Sequence, residues 1–415
     1  MPGANHRKTD YHLPARIFFS ALFLFLFNLQ NIPAEAADKG YETEIRKLID
    51  NGGCTVSKRN RTILSLNTGE KFIPASIWKI VTSLAAFETL GEQYRFKTEL
   101  YLDSKNNLYI RGFGDPFLVS EEIDNIFKEL SGRGITEIKN IYLDTASFSL
   151  SGPPPGVSSS LNPYDVINGA LAVNFNTINF YVDEKGVVSS AERQTPTLGI
   201  MKELGRNFRK GKHRINISGS SENMLRNTGE LFRAIQKQNE LPGSGTESEK
   251  KVPENLSPVY VHYSSKKLTD IIKAMMLYSN NYIANQIFLT MGAYEYGYPA
   301  TWDKGRKYLA GYLDKNFGKY SNDIKVSEGS GISRENRITI DALTEVLERY
   351  KPYINTLPVD NGACIKSGTL NGVYSYAGYL KNKNDYDSFV IILNQKKNNR
   401  DRVLKLLKKA YSIIP

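Results

Sequence analysis

The sequence predicts an α/β protein of the α+β kind, with one domain of antiparallel sheet and helices split by a β-rich insertion. Three observations lead there. Helical and strand patterns are mixed in the first 95 residues and again after residue 256, while the stretch between alternates apolar and polar residues with turn signals. A chain of 415 residues is also too long for one small core. Hydrophobic content of 40% and aromatic content of 11% are those of a globular chain, which excludes bulk disorder.

The elements follow in order. A polar stretch with Arg7, Lys8 and Arg16 precedes the apolar run IFFSALFLFLFNLQNI, which is short for a membrane span, and Ala34-Glu35-Ala36 supplies the small-x-small pattern of a signal-peptidase site. Residues 1–36 are therefore expected to be a secretory signal peptide cleaved before Ala37, with an uncleaved anchor as the alternative. Export to the periplasm or cell envelope follows from that expectation. Residues 37–95 open the main domain: a helical pattern ending in glycines (KGYETEIRKLIDNGG), strand-like CTVSKRNRTILSLNTG, and a long apolar helix entered through FIPASIWKIVTSLAAFETLG.

Residues 96–255 form the insertion. RFKTELYLDSKNNLYIRGFGDPFL reads as hairpins, IKNIYLDTASF, LAVNFNTINFYVDEKGVVSS and HRINIS as strands, and ENMLRNTGELFRAIQKQ as a helix. NELPGSGTESEKKVPENLSP, rich in Pro, Gly, Ser and charge, reads as the linker that closes it. Residues 256–415 return to the main domain. KKLTDIIKAMMLYSNNYIANQIFLTMG gives two helices or one interrupted helix, and RITIDALTEVLERY another. ACIKSGTLNGVYSYAGYLKNKNDYDSFVIILNQ gives antiparallel strands, and RDRVLKLLKKAYSII an amphipathic end. No internal repeat is present.

Net charge is +11; the signal holds three basic and two acidic residues, so the mature chain keeps an excess of ten. For an exported protein nucleic acid is a poor partner for such a surface. Acidic envelope polymers or anionic lipid headgroups, hence a peripheral envelope association, fit better, and a solvated basic surface is the simplest account. The C-terminal KKNNRDRVLKLLKK suits that plain reading. The two cysteines, Cys54 and Cys364, exclude a disulfide framework or a four-thiolate metal site, and a single bridge between them stays open.

The available chemistry is narrow. Outside the signal only His213 and His262 remain, neither in a nucleophile-elbow or H-E-x-x-H context, so a Ser-His-Asp triad or a histidine-rich zinc site has little material. No G-x-G-x-x-G, Walker A or paired-cysteine spacing occurs. A serine enzyme here would use a lysine base. S-x-x-K occurs three times, at Ser76/Lys79, Ser248/Lys251 and Ser264/Lys267. Ser248 lies in the linker, and Ser264 sits just before a helix, where capping would explain it. Ser76 alone enters a long apolar helix, where residues three apart share a face and burial would favour a neutral lysine amine. Ser279-x-Asn281 lies between two apolar helical segments; S-x-N recurs elsewhere, at Ser104, Ser160 and Ser221 for example, and a helix-junction cap is the plain alternative. Lys366-Ser367-Gly368 is the one K-[ST]-G of the chain and opens a strand; a lysine beside a hydroxyl can hold a carboxylate. Each signal is weak alone, and the three in this order are strong together.

With these residues in place, the sequence closely resembles the penicillin-binding serine D-Ala-D-Ala peptidases, in particular the low-molecular-mass class C carboxypeptidase/endopeptidase group. The likeness covers most of residues 40–415. PASIWKIVTSLAAFETLG resembles that family's nucleophile helix, GFGDPFL its Gly-Asp-Pro turn, and ALAVNFNTINFYV a strand of its inserted region. YSNNYIANQIF resembles the S-x-N helix, EGSGISRENRIT the Gly-Ser-Gly loop and IKSGTLNGVYSYAGYL the K-T-G strand. Ser367 replaces the commoner threonine, and Glu328 stands where Asp is expected. Ser76 and Ser279 are only 203 positions apart, which implies a reduced insertion. The resemblance implies a serine β-lactamase/DD-peptidase-like transpeptidase domain that needs no metal or cofactor. It implies Ser76 as nucleophile, Lys79 as its base and Ser279 as a proton relay. Asn281 would bind the substrate amide, Lys366 and Ser367 with Gly368 the terminal carboxylate, and the backbone N–H groups of Ser76 and Thr369 the oxyanion. Peptidoglycan stem peptides would be substrates and β-lactams covalent inhibitors. A β-lactamase and a catalytically silent cell-wall scaffolding protein are the alternatives. Carboxypeptidase against endopeptidase preference and oligomeric state are not read from the sequence.

Overall fold

The computed structural model describes residues 34–413 other than 60, 361, 383 and 384. The expected signal peptide therefore lies outside the described residues, apart from positions 34–36 at the start of the helix Ala34–Arg46.

A six-stranded antiparallel sheet organises the main domain, in the order Val359–Asp360, Ala363–Leu370, Val373–Asn382, Asp385–Leu393, Gly52–Lys58, Arg61–Leu66. Side chains alternate across it. Phe389, Ile391 and Leu393 join Cys54, Val56 and Ile365 under the first and last helices of the described chain, through Ile45, Val403 and Leu407. Val390, Ile392 and Tyr379 point the other way, into a larger core with the helices Trp78–Leu90, Leu268–Tyr278, Asn281–Tyr296, Trp302–Phe317 and Ile340–Tyr350. A sheet covered on both faces accounts for the continuous apolar run FVIIL. Residues 78–87 are all buried, so the helix Trp78–Leu90 has no solvent stripe.

The insertion has its own core. One sheet runs Glu247–Glu249, Ile141–Asp144, Leu108–Gly112, Lys97–Leu102, Tyr260–Tyr263; a smaller one runs Val188–Ser190, Thr177–Val182, Gly211–Asn216. The helices Ser120–Gly132 and Ser221–Gln238 cover them through Phe127, Leu130, Leu231 and Phe232. Three features were not expected. The stretch read as a linker carries Glu247–Glu249, paired in parallel with Ile141–Asp144. The boundary at 255 then falls inside the sheet, because Tyr260–Tyr263 pairs antiparallel with Lys97–Leu102. A sheet edge needs only backbone pairing, so a polar Glu-Ser-Glu strand gives no hydrophobic signal. The helix Ser120–Gly132 stands between the stretches read as strands, where no element was assigned, although Ile123, Ile126, Phe127 and Leu130 have helical spacing.

Cys54 and Cys364 are free and buried. They lie three strands apart, about 14 Å at ordinary strand spacing, and face opposite sides of the sheet, so no bridge can form. Burial pushes the Cys54 thiol up to about 12, against a small opposing effect of Arg46. The native protein should therefore not react with an aqueous disulfide reagent at pH 8, whereas denaturant should release two thiols per chain. A fast-reacting native thiol, or fewer than two after unfolding, would contradict this arrangement.

Candidate active site

The Ser76–Lys79 pair sits where the chain turns from the short strand Lys71–Phe72 into the buried helix. A 3-10 turn, Ala75–Ile77, comes first, and Ala75 has φ +52°, a left-handed conformation that alanine seldom adopts. Lys79 is fully buried. Its Nζ lies 3.0 Å from Ser76 Oγ, 2.8 Å from Asn281 Oδ1 and 2.8 Å from the Ser330 carbonyl. A neutral amine has two N–H bonds and one lone pair. The two N–H bonds match Asn281 and Ser330, so the lone pair faces the Ser76 hydroxyl. Burial holds the Lys79 pKa well below its usual value, the neighbouring Lys366 cation adds to this, and Glu328 opposes it.

The Ser330 carbonyl belongs to a loop, Glu328 to Gly331, fastened along one face of the nucleophile helix. Trp78 Nε1 donates to Glu328 O (2.8 Å), Lys79 to Ser330 O and Thr82 Oγ1 to Gly329 O (2.6 Å). The Glu328 carboxylate is buried and accepts five hydrogen bonds, from the N–H groups of Ser330, Gly331 and Ser333, from Ser330 Oγ and from Asn336 Nδ2. Gly331 is obligatory: its φ is +83°, and a Cβ there would lie 2.0 Å from the Ala75 carbonyl.

The S-x-N motif forms a helix break. Ser279 has φ +52° and ends Leu268–Tyr278, and Asn280 Oδ1 caps the next helix by accepting from Ile283 N (3.0 Å). Because Asn280 is the cap, the Ser279 hydroxyl is left for Lys366, whose Nζ donates to it at 3.0 Å and to the Ser367 carbonyl at 2.8 Å. Burial, then the nearby Arg400 cation, lowers the Lys366 pKa to about 8.

The strand Ala363–Leu370 runs close beside the nucleophile turn. A Cβ on Gly368 would lie 2.3 Å from Ser375 Oγ and 2.9 Å from both Pro74 O and Ser76 N, so glycine alone permits this approach. A cleft of about 330 Å³ opens here, lined by Ser76, Ser279, Asn281, Ser367 and Thr369 with Tyr164 of the insertion. All eight residues singled out in the sequence thus lie in or against one cleft. The two other S-x-x-K serines lie elsewhere: Ser248 is on the insertion's edge strand, and Ser264 is buried beside Phe96, three residues before Lys267, which holds the N-cap position of the following helix and whose backbone N–H donates to Asp270.

Sequence reasoning missed three participants, Tyr164, the Ser330 carbonyl and Arg400, and left the role of Glu328 undefined. Tyr164 reaches the cleft from a loop with no pattern, and Asn281 Nδ2 approaches its carbonyl at 3.5 Å. Ser330 acts through its backbone and Glu328 through backbone N–H groups, which leave no residue-type signal. Arg400, within the C-terminal basic tract, donates to Gly368 O and Thr369 Oγ1, both at 2.8 Å, so part of that tract serves the site.

Comparison with known proteins gives a consistent result. The D-Ala-D-Ala carboxypeptidase 3 (S13) family model matches residues 47–198 and 213–364. The D-alanyl-D-alanine carboxypeptidase DacB of Haemophilus influenzae is 24% identical over 81% of this chain and 83% of its own. The crystal structure of penicillin binding protein 4 (dacB) from the same organism superposes with a TM-score of 0.71 at 20% identity, covering 89% of this chain and 98% of that one. It has also been solved in complex with a β-lactam. A predatory peptidoglycan endopeptidase from Bdellovibrio bacteriovorus superposes with a TM-score of 0.53 at 18% identity, covering 88% and 91%.

Glu328→Gln should lower folding stability by about 2–3 kcal/mol in urea denaturation, since an amide NH₂ replaces an acceptor that buried donors require. A midpoint within error of the unsubstituted protein would remove Glu328 from this role.

Proposed function

This chain belongs to the D-Ala-D-Ala carboxypeptidase 3 (S13) family, and from that premise we propose a penicillin-binding serine DD-peptidase acting on peptidoglycan through an acyl-enzyme on Ser76. The observation that carries the reading is a fully buried lysine whose Nζ lies 3.0 Å from the hydroxyl three residues before it, in surroundings that lower its pKa and so favour the neutral amine that can accept a proton. Lys79 takes the Ser76 proton as Oγ attacks the carbonyl between two D-alanines. The C–N bond breaks, the departing amine takes up a proton through Ser279, and water then hydrolyses the Ser76 ester.

The backbone N–H groups of Ser76 and Thr369 receive the negative charge of the tetrahedral intermediate, about 3 kcal/mol of barrier for each such donor. Asn281 serves two partners: its carbonyl oxygen holds Lys79, which leaves its NH₂ for the substrate amide. Lys366 with Ser367 takes the terminal carboxylate. The activity is placed at the cell envelope, on the strength of the N-terminal signal pattern.

Purified protein incubated with a D-Ala-D-Ala pentapeptide and with cross-linked muropeptides should release D-alanine from the first, cleave the second, or do both. Intact substrates would overturn the reading. A fluorescent penicillin should label the protein covalently and leave Ser76→Ala unlabelled; rapid turnover of the penicillin in place of a lasting adduct would mark a β-lactamase instead. Lys79→Ala should slow acylation about 10²–10⁴-fold, the range for losing a positioned base. A lysine is cationic below its pKa, so with Lys366 near 8 substrate binding should weaken as pH rises through that value. A KM for the D-Ala-D-Ala peptide that stays flat between pH 7 and 9.5 would contradict the carboxylate role of Lys366.

A further inference from the structure

A second cavity, of about 470 Å³, opens on the other side of Asn281 and shares both Asn281 and Tyr164 with the catalytic cleft. Phe117 and Phe175 of the insertion form its apolar wall, Tyr278, 72% exposed, stands at the main-domain side, and Arg214 supplies the charge. Phe175 is held in an improbable conformation. It is the middle of three consecutive left-handed residues, with φ +47°, +60° and +51° at Asn174, Phe175 and Asn176. Asparagine tolerates that region and a bulky aromatic does not, so the surroundings must impose it. They do so through the flanking side chains: Asn174 accepts from Ser120 N and donates to Ser120 Oγ, and Asn176 Nδ2 donates to Ile167 O. The turn aims the Phe175 ring at the cavity, edge-on to Phe117 at 5.4 Å. Arg214 is exposed; its guanidinium lies 5.9 Å from the Phe175 ring and its Nε donates to Thr177 Oγ1. No carboxylate pairs with it among the described ion pairs.

We infer that this groove is an extension of the substrate site that takes the acidic segment of the stem peptide, on the acyl side of the scissile bond, with Arg214 receiving a free carboxylate. The inference rests on the DD-peptidase reading, in which the acyl-side amide is held by Asn281; a peptide leaving the cleft past Asn281 passes Tyr164 and enters the groove. The occupant follows from continuity with the cleft and from charge. Apolar walls suit alkyl stems between amides, and a planar guanidinium without an acid partner suits a carboxylate. Arg214 is thus a specificity residue belonging to the insertion, outside the reacting atoms.

Two fluorescein-labelled pentapeptides test this, L-Ala-D-isoGlu-L-Lys-D-Ala-D-Ala with the isoglutamate α-carboxylate free and the same peptide with that group as a carboxamide. Their affinities are read by anisotropy on the full chain carrying Ser76→Ala, which stops turnover. The free acid should bind about tenfold more tightly, as one charge-assisted contact provides. Adding Arg214→Gln should bring the ratio to about one, and Arg214→Lys, which keeps the charge without the fork, should retain part of it. Equal affinities for the two peptides, no measurable binding, or a preference that survives Arg214→Gln overturns the inference. Hydrolysis by the Ser76 protein reports the DD-peptidase reading separately. Selective binding without hydrolysis removes that reading and leaves the groove; hydrolysis with equal affinities removes the groove alone.

Discussion

An amine sealed from water must be given partners, and at Lys79 they come from three elements: Ser76 in the turn just before it, Asn281 at a helix break and the Ser330 carbonyl. Unpartnered, such a group would be costly to bury. Partnered in this way, burial becomes useful, because it favours the uncharged form that can accept a proton. Much of the surrounding architecture meets that requirement. The helix Trp78–Leu90 is buried on every side over residues 78–87, which encloses its first turn, and the loop from Glu328 to Gly331 is fastened to it so that the Ser330 carbonyl stays in place.

Lys366 shows the complementary case. It is almost as deeply buried, with its amine on the Ser279 hydroxyl and the Ser367 carbonyl, yet it keeps a pKa of about 8 and hence a cationic form at neutral pH. Two lysines in one site would repel if both were charged. The structure differentiates them by surroundings: Lys79 is enclosed by Ser76, Asn281 and Ser330, whereas Lys366 lies behind Ser279 and Ser367, which line the cleft. Base and anion binder are therefore the same residue type in two environments.

The site was legible where chemistry depends on side-chain identity at fixed spacing, as with Ser76/Lys79, Ser279/Asn281 and Lys366 to Thr369. It was illegible where function runs through the backbone. Glu328 organises four residues by accepting from three main-chain N–H groups, one amide and one hydroxyl; the resemblance leads one to expect an acid at this position, but the sequence does not disclose that its partners are mostly backbone. Arg400 was hidden by its basic neighbours, which read as a solvated face. The fold shows the same division. Alternation and apolar runs located the central strands, while the edge strand Glu247–Glu249 and the insertion boundary near Tyr263 depend on pairing that polar side chains do not disclose.

The order of the main sheet also sets an order in time. Gly52–Lys58 pairs with Asp385–Leu393, placing Cys54 opposite Ile391, so the strand synthesised first has to wait for one of the last. Both sheets of the insertion lie within Lys97 to Tyr263, a continuous piece of chain with its own apolar core. Contacts between near residues form before contacts between remote ones, because closing the longer loop costs more entropy. The insertion can accordingly fold as a unit of its own, and once folded it brings the two parts of the main domain closer together. The nucleophile turn, packed against Ala363–Leu370 with its lysine held by Asn281 and Ser330, is completed only when almost the whole protein is present, so truncated chains carry Ser76 and Lys79 without the surroundings that make the lysine a base.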